Sequence, residues 1–133
     1  MSIVVGYVAT PEGEAALRRA AEEAKLRGMK LVVIHSNRGG RELDGEESVR
    51  KDQELERVRR QLDDAGVSSE VRQLVRGLDP SEDLISVSEE IAADMIVIGL
   101  RRRTPVGKLI LGSNAQRVLL DARCPVLAVK ADD

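Results

Sequence analysis

The chain has 133 residues, enough for one domain, with 42% hydrophobic residues and a formal net charge of −2. It contains no Phe or Trp and only one aromatic side chain, Tyr7. The core must therefore be aliphatic, and the aromatic platform on which single-stranded nucleic acid stacks is missing. The near-neutral charge gives no general pull toward nucleic acid or acidic membranes. One cysteine, Cys124, excludes an intrachain disulfide, and one histidine, His35, excludes a multi-histidine metal site.

The first strand is expected over Ile3–Val8, an apolar run bounded by a turn. Thr10-Pro11 then offers an N-cap followed by proline at the first helical position. The first helix should run from Pro11 to Arg27, with Leu17, Ala20, Ala21 and Ala24 on one face and Gly28 as its stop. Leu31–Ile34 is a second continuous apolar strand. Ser36–Gly45, rich in glycine, reads as a surface loop. A highly charged helix follows over Glu46–Ala65, with a thin apolar face of Val49, Leu55, Val58 and Leu62, closed by Gly66. Val67–Val75 mixes polar and apolar residues, as an edge strand tolerates. Asp79-Pro80-Ser81-Glu82 opens a third helix with inner positions Leu84, Val87, Ser88 and Ile91. Met95–Ile98 is a strand buried on both faces. The last helix, Ser113–Ala122, should bury Val118 and Leu119, and Pro125–Val129 is the final strand. Cys124 is expected as a small buried residue at the junction between them.

Five strands alternating with four helices predict an α/β fold with a mainly parallel sheet, doubly wound in three layers. Between the fourth strand and the fourth helix lies GLRRRTPVGKLILGS, Gly99 to Ser113. A long loop here leaves the carboxyl end of a central strand and ends at Ser113-Asn114-Ala115-Gln116, which has the form of a capping box. The N–H groups of a helix start attract anions, and Arg101, Arg102, Arg103 and Lys108 add positive charge nearby. Known phosphate motifs do not fit. The P-loop pattern fails at Arg102 and Leu109, and the dinucleotide fingerprint fails because Gly13 stands alone. No nucleophile elbow supplies a serine for a triad with His35. Nor does any apolar run approach the roughly 20 residues of a membrane span. The opening MSIVVGY lacks signal-peptide form, so a soluble cytoplasmic protein is expected.

The chain resembles the universal stress protein family along its whole length. IVVGYVATPEGEAAL is similar to that family's opening strand and helix. GLDPSEDLISVSEEIAADMIVIGL is similar to its third helix and fourth strand, and LGSNAQRVLLDARCPVLAVK to its ending. The resemblance implies a Rossmann-like sheet in the order 3-2-1-4-5, with a crevice between strands 1 and 4. It also implies a homodimer through the last strand, Pro125, Val126, Leu127, Ala128 and Val129. ATP-binding members carry a glycine, two residues, a glycine, nine residues, then glycine with serine or threonine. Here Gly99 and Gly112-Ser113 match, whereas Arg102 replaces the middle glycine. Those members usually also have an aspartate at the end of strand 1, where this chain has Val8. The adenine is expected beside the backbone at His35-Ser36.

The resemblance, with these residues, implies a non-catalytic stress-response regulator that binds ATP or another adenine nucleotide, or phosphate, at a degenerate site. Its residues would be Gly99, Arg101, Arg102, Arg103, Gly112, Ser113, Asn114, Val8, His35 and Ser36. A regulatory protein partner, unidentified, would read its state. Two other readings stay open: a stress protein without nucleotide that acts only through protein contacts, and a slow ATPase.

Overall fold

The computed structural model describes residues 1–37, 45–75, 79–100 and 112–131. Along these the chain forms β1 (Ser2–Gly6), α1 (Pro11–Arg27), β2 (Lys30–Asn37), α2 (Gly45–Asp64) and β3 (Ser69–Val75). It continues through α3 (Pro80–Glu90), β4 (Met95–Leu100), α4 (Ser113–Asp121) and β5 (Val126–Lys130). The five strands pair in parallel in the order β3-β2-β1-β4-β5, as expected. Strand order reverses between β1 and β4, so their carboxyl ends part into a crevice.

Alternation along the strands divides the core into two layers. Ile3, Val5 and Tyr7 face α1 and α2 together with Leu31 and Val33, packing on Leu17, Ala20, Val58 and Leu62. Val4, Val32, Ile34, Ile96 and Ile98 face α3 and α4, packing on Leu84, Val87 and Val118. Each such aliphatic side chain contributes about 1.5–3 kcal/mol when fully buried. At the amino edge of the sheet, Ser2 N donates to Asp94 Oδ2 at 3.0 Å and Asp94 N donates to Ser2 O at 2.8 Å. That pair pins β1 to β4 at the end opposite the crevice.

The first helix forms as its sequence dictates. Thr10 Oγ1 accepts from Gly13 N at 3.1 Å, and Gly28 ends the helix at φ +65°, a conformation that suits glycine. Other expectations need correction. Tyr7 and Val8 lie beyond β1, because Thr10 N already bonds to Val8 O at 2.9 Å and turns the chain into α1. The second strand runs through His35, Ser36 and Asn37, paired to Gln73, Leu74 and Val75 of β3, so the expected loop starts later. The remainder of that loop, 38–44, lies outside the described residues. Val49 is 53% exposed, one turn too early on α2 to reach the sheet, and Leu119 is 41% exposed, leaving Val118 as the buried anchor of α4. Asp79 caps α3 through its backbone only. Likewise Gly112, not Ser113, is the N-cap of α4: its carbonyl accepts from Gln116 N at 3.0 Å, and the expected capping box gives way to a glycine cap. Cys124 is half-buried, enough to push its thiol pKa up by desolvation.

Candidate functional site

The crevice at the carboxyl ends of β1 and β4 is a cavity of about 200 Å³. Its floor is apolar, built from Ile34, Leu84, Ile98 and Val118. Around this floor stand Tyr7 and Val8 after β1, Ser36 on β2, Pro80 and Ser81 on α3, and Asn114 and Ala115 on α4. Glu12 and Gly13, in the first turn of α1, close the remaining side against Gly99 of β4. A concave apolar slot with a few polar groups at a switch point is where α/β sheets take ligands.

The end of β1, β2, β4 and α4 thus bring Val8, Ser36, Gly99 and Asn114 to one crevice. Gly112 and Ser113 directly precede Asn114 at the start of α4, where helical geometry gives the first amides no intrahelical acceptor. Gly99 has a further role that the sequence did not reveal. It lies within β4, paired to Val129, and a Cβ there would sit 2.3 Å from Glu12 O. Its missing side chain is what lets α1 rest on β4. Gly13 is similarly required, since its Cβ would lie 1.9 Å from Val8 O. Arg101, Arg102 and Arg103 lie outside the described residues, as does Lys108.

His35 does not join this site. Consecutive strand residues point to opposite faces, so Ser36 enters the crevice and His35 turns toward α2. Its Nδ1 lies 3.3 Å from Tyr7 O, and it borders a separate cavity of about 270 Å³ with Arg50, Lys51 and Glu54. Beside that cavity Tyr7, only 2% exposed, has its hydroxyl oxygen 2.8 Å from Glu14 and 2.5 Å from Glu54, with its one hydrogen shared between the two carboxylates. Arg57 Nη2 donates to the same two carboxylates, at 2.7 and 2.6 Å. Burial, then the bonds to Glu54 and Glu14, push the Tyr7 pKa well above its ordinary value. Hydrogen bonds from Arg57 and Tyr7 hold Glu54 below the usual carboxylate range. This cluster clamps α1 and α2 over the end of β1.

Two polar groups of α3 escaped the sequence analysis. Asp83 is fully buried and accepts a hydrogen bond from Ser36 Oγ, and Ser81 is 1% exposed at the crevice wall. Their spacing carried the signal: Ser81 stands three residues before Leu84, and Asp83 four before Val87, both on the inner face. Among the described residues, no group of three or more His, Cys, Asp or Glu side chains could hold a metal ion, and no helix is long and apolar enough to cross a membrane.

Comparison with known proteins gives concordant results. The model of the universal stress protein family matches residues 1–130. A universal stress protein of Mycolicibacterium smegmatis is 46% identical over 128 residues, spanning 96% of this chain and 96% of that protein. Among solved structures, a universal stress protein from Archaeoglobus fulgidus superposes with a TM-score of 0.84 at 40% identity, covering 98% of each chain. Another structure of a universal stress protein from that organism, in complex with dAMP, has a TM-score of 0.78 at 34% identity, again covering 98% of each chain.

Proposed function

The chain belongs to the universal stress protein family, and we propose that it is a non-catalytic regulator holding an adenine nucleotide in the crevice between β1 and β4. The observation that carries this reading is the convergence of Val8, Ser36, Gly99 and Asn114 on one apolar slot beside the start of α4. The dAMP complex of a relative 34% identical along nearly the whole chain supports the same ligand class. In this reading the base occupies the slot near Ser36, and the phosphates reach Gly112, Ser113, Asn114 and the arginines Arg101, Arg102 and Arg103. A regulatory rather than enzymatic role is supported by the character of the walls. Among the described residues lining the crevice there is no histidine and no pair of carboxylates to serve as a general base or hold a metal ion for phosphoryl transfer.

The second part of the proposal is a cytoplasmic homodimer joined through β5. This strand lies at the edge of the sheet with Val126, Leu127, Ala128 and Val129 half-buried, and an apolar edge favours pairing with a second copy. An unidentified regulatory protein would then read the nucleotide-bound state.

The test is direct. Small molecules released by heat from freshly purified protein are identified by mass spectrometry, and ATP binding is measured by calorimetry. An adenine nucleotide in the extract, or saturable ATP binding with phosphate release at buffer background, is the expected outcome. Lack of any adenine-nucleotide binding would favour a protein acting through contacts alone, and steady phosphate release well above background would favour a slow ATPase.

A further inference from the structure

The crevice wall carries two hydroxyls that packing alone does not require. Ser81 Oγ is buried at the wall and has no hydrogen-bond partner among the described residues. An unpartnered hydroxyl in an apolar setting is destabilising unless something entering the site bonds to it. Ser36 is differently constrained. Its single hydroxyl hydrogen is directed to Asp83 Oδ2, so toward the crevice the Ser36 oxygen can only accept. Asp83 sits in the first turn of α3, and its Oδ2 is the atom that receives this hydrogen.

The wall therefore presents one fixed acceptor and one adaptable hydroxyl above the aliphatic floor of Ile34, Leu84 and Ile98. A flat heteroaromatic edge bearing an exocyclic amine beside a ring nitrogen satisfies both groups. The amine donates to Ser36, and the ring nitrogen accepts from Ser81. An exocyclic carbonyl at the same place would set two acceptors against each other. We propose that Ser36 and Ser81 read the base of the bound nucleotide, with Asp83 as the positioning residue that keeps Ser36 an acceptor. This rests on the adenine-nucleotide reading above, and it makes side chains, not main chain alone, the source of selectivity for the base.

The experiment is a cycle between protein and ligand by titration calorimetry. ATP, purine riboside triphosphate (lacking the exocyclic amine) and inosine triphosphate (carrying a carbonyl there) are each titrated into wild type, Ser36→Ala and Ser81→Ala, with Tm measured alongside. Wild type should bind ATP about threefold to tenfold more tightly than the analogue without the amine. It should bind inosine triphosphate no better than that analogue. In Ser36→Ala the gap between ATP and the analogue should close to within about twofold. Ser81→Ala should weaken ATP binding by about threefold to tenfold while leaving Tm unchanged or raised, because it removes an unpartnered buried hydroxyl. An equal gap in wild type and Ser36→Ala, or undiminished ATP binding by Ser81→Ala, overturns the base-reading assignment and leaves the nucleotide reading standing. Failure of wild type to bind any of the three ligands overturns both.

Discussion

Gly99 and the carbonyl of Glu12 are packed so closely that a methyl group on Gly99 would lie 2.3 Å from that oxygen. The neighbour is backbone in the first turn of α1, which cannot swing aside as a flexible side chain would. Gly99→Ala must therefore push the start of α1 away from β4, and overpacking of this kind costs about 1–3 kcal/mol. The expected outcome is a lower urea midpoint with an unchanged m-value. An unaltered midpoint would show that α1 yields freely. Weaker nucleotide binding in this variant cannot be ascribed to a lost ligand contact, because the helix forming one wall of the crevice has moved.

The Tyr7, Glu54 and Arg57 cluster makes stability depend on pH at both extremes. Tyr7 has its folded pKa raised above the ordinary value of 10.0, so its contribution is fully present below that pH. As pH climbs past it, the unfolded chain loses the proton first and stability falls. Glu54 is the opposite case. Its folded pKa lies below 4.5, so its contribution is present above that value and is lost as pH falls through the folded pKa. Tyr7→Phe should flatten the alkaline limb of a plot of Tm against pH, and Glu54→Gln the acid limb. Identical limbs in wild type and variants would mean that the cluster is not formed in solution.

A small stabilisation is available at the end of α3. Ala92 has φ +50°, a left-handed conformation that costs an L-residue roughly 1–2 kcal/mol. Ala93 N bonds back to Ser88 O at 2.8 Å, closing the kind of helix terminus at which glycine is usual. Ala92→Gly relieves the strain but gives the unfolded chain more freedom, so a net gain of about 0.5–1 kcal/mol is expected. Chemical denaturation measures it directly, and a loss of stability would contradict the assignment.

The sheet was legible because buried parallel strands are continuous apolar runs, and Leu31–Ile34 and Met95–Ile98 have no polar interruption. The start and stop of α1 were legible because Thr10-Pro11 and Gly28 act locally. What escaped depends on three-dimensional approach. No local rule says that Gly99 is glycine for the sake of Glu12, or that the hydroxyl of Ser36 meets Asp83, forty-seven residues away in sequence. His35 stands one step of strand alternation from Ser36, so its side chain faces α2. Its neighbour Ser36 reaches the crevice because the strand continues to Asn37, which the polar residues after Ile34 disguised.

The proposed dimer can be tested by two prolines with opposite expectations. Ile96 N donates to Pro125 O at 3.0 Å, with Ile96 opposite Val126. In a parallel ladder this register directs the N–H groups of Leu127 and Val129 toward β4 and that of Ala128 toward the open edge. Ala128→Pro should weaken self-association while largely sparing the fold, whereas Leu127→Pro should destabilise the subunit itself. Sedimentation at micromolar concentration distinguishes them. A wild-type monomer under those conditions would remove the dimer from the proposal.

Affinity for ATP is the remaining quantity that the site predicts. Val8 borders the crevice and is 46% exposed, at the position where the family resemblance implies an aspartate in ATP-binding members. The Val8 carbonyl is already bonded to Thr10 N, and the aliphatic side chain offers no acceptor to a ribose hydroxyl. A hydrogen bond to a charged group is worth about 1.5–3 kcal/mol, on the order of ten- to a hundredfold in affinity. Partial exposure of Val8 lets a carboxylate there stay hydrated in the empty protein, so its introduction should not destabilise the fold. Val8→Asp should therefore tighten ATP binding at nearly constant Tm. The double change Val8→Asp with Arg102→Gly should tighten it further if Arg102 obstructs the phosphates, and loosen it if the guanidinium clasps them. Titration of wild type and both variants separates these outcomes, and equal affinity in all three would show that neither position meets the nucleotide.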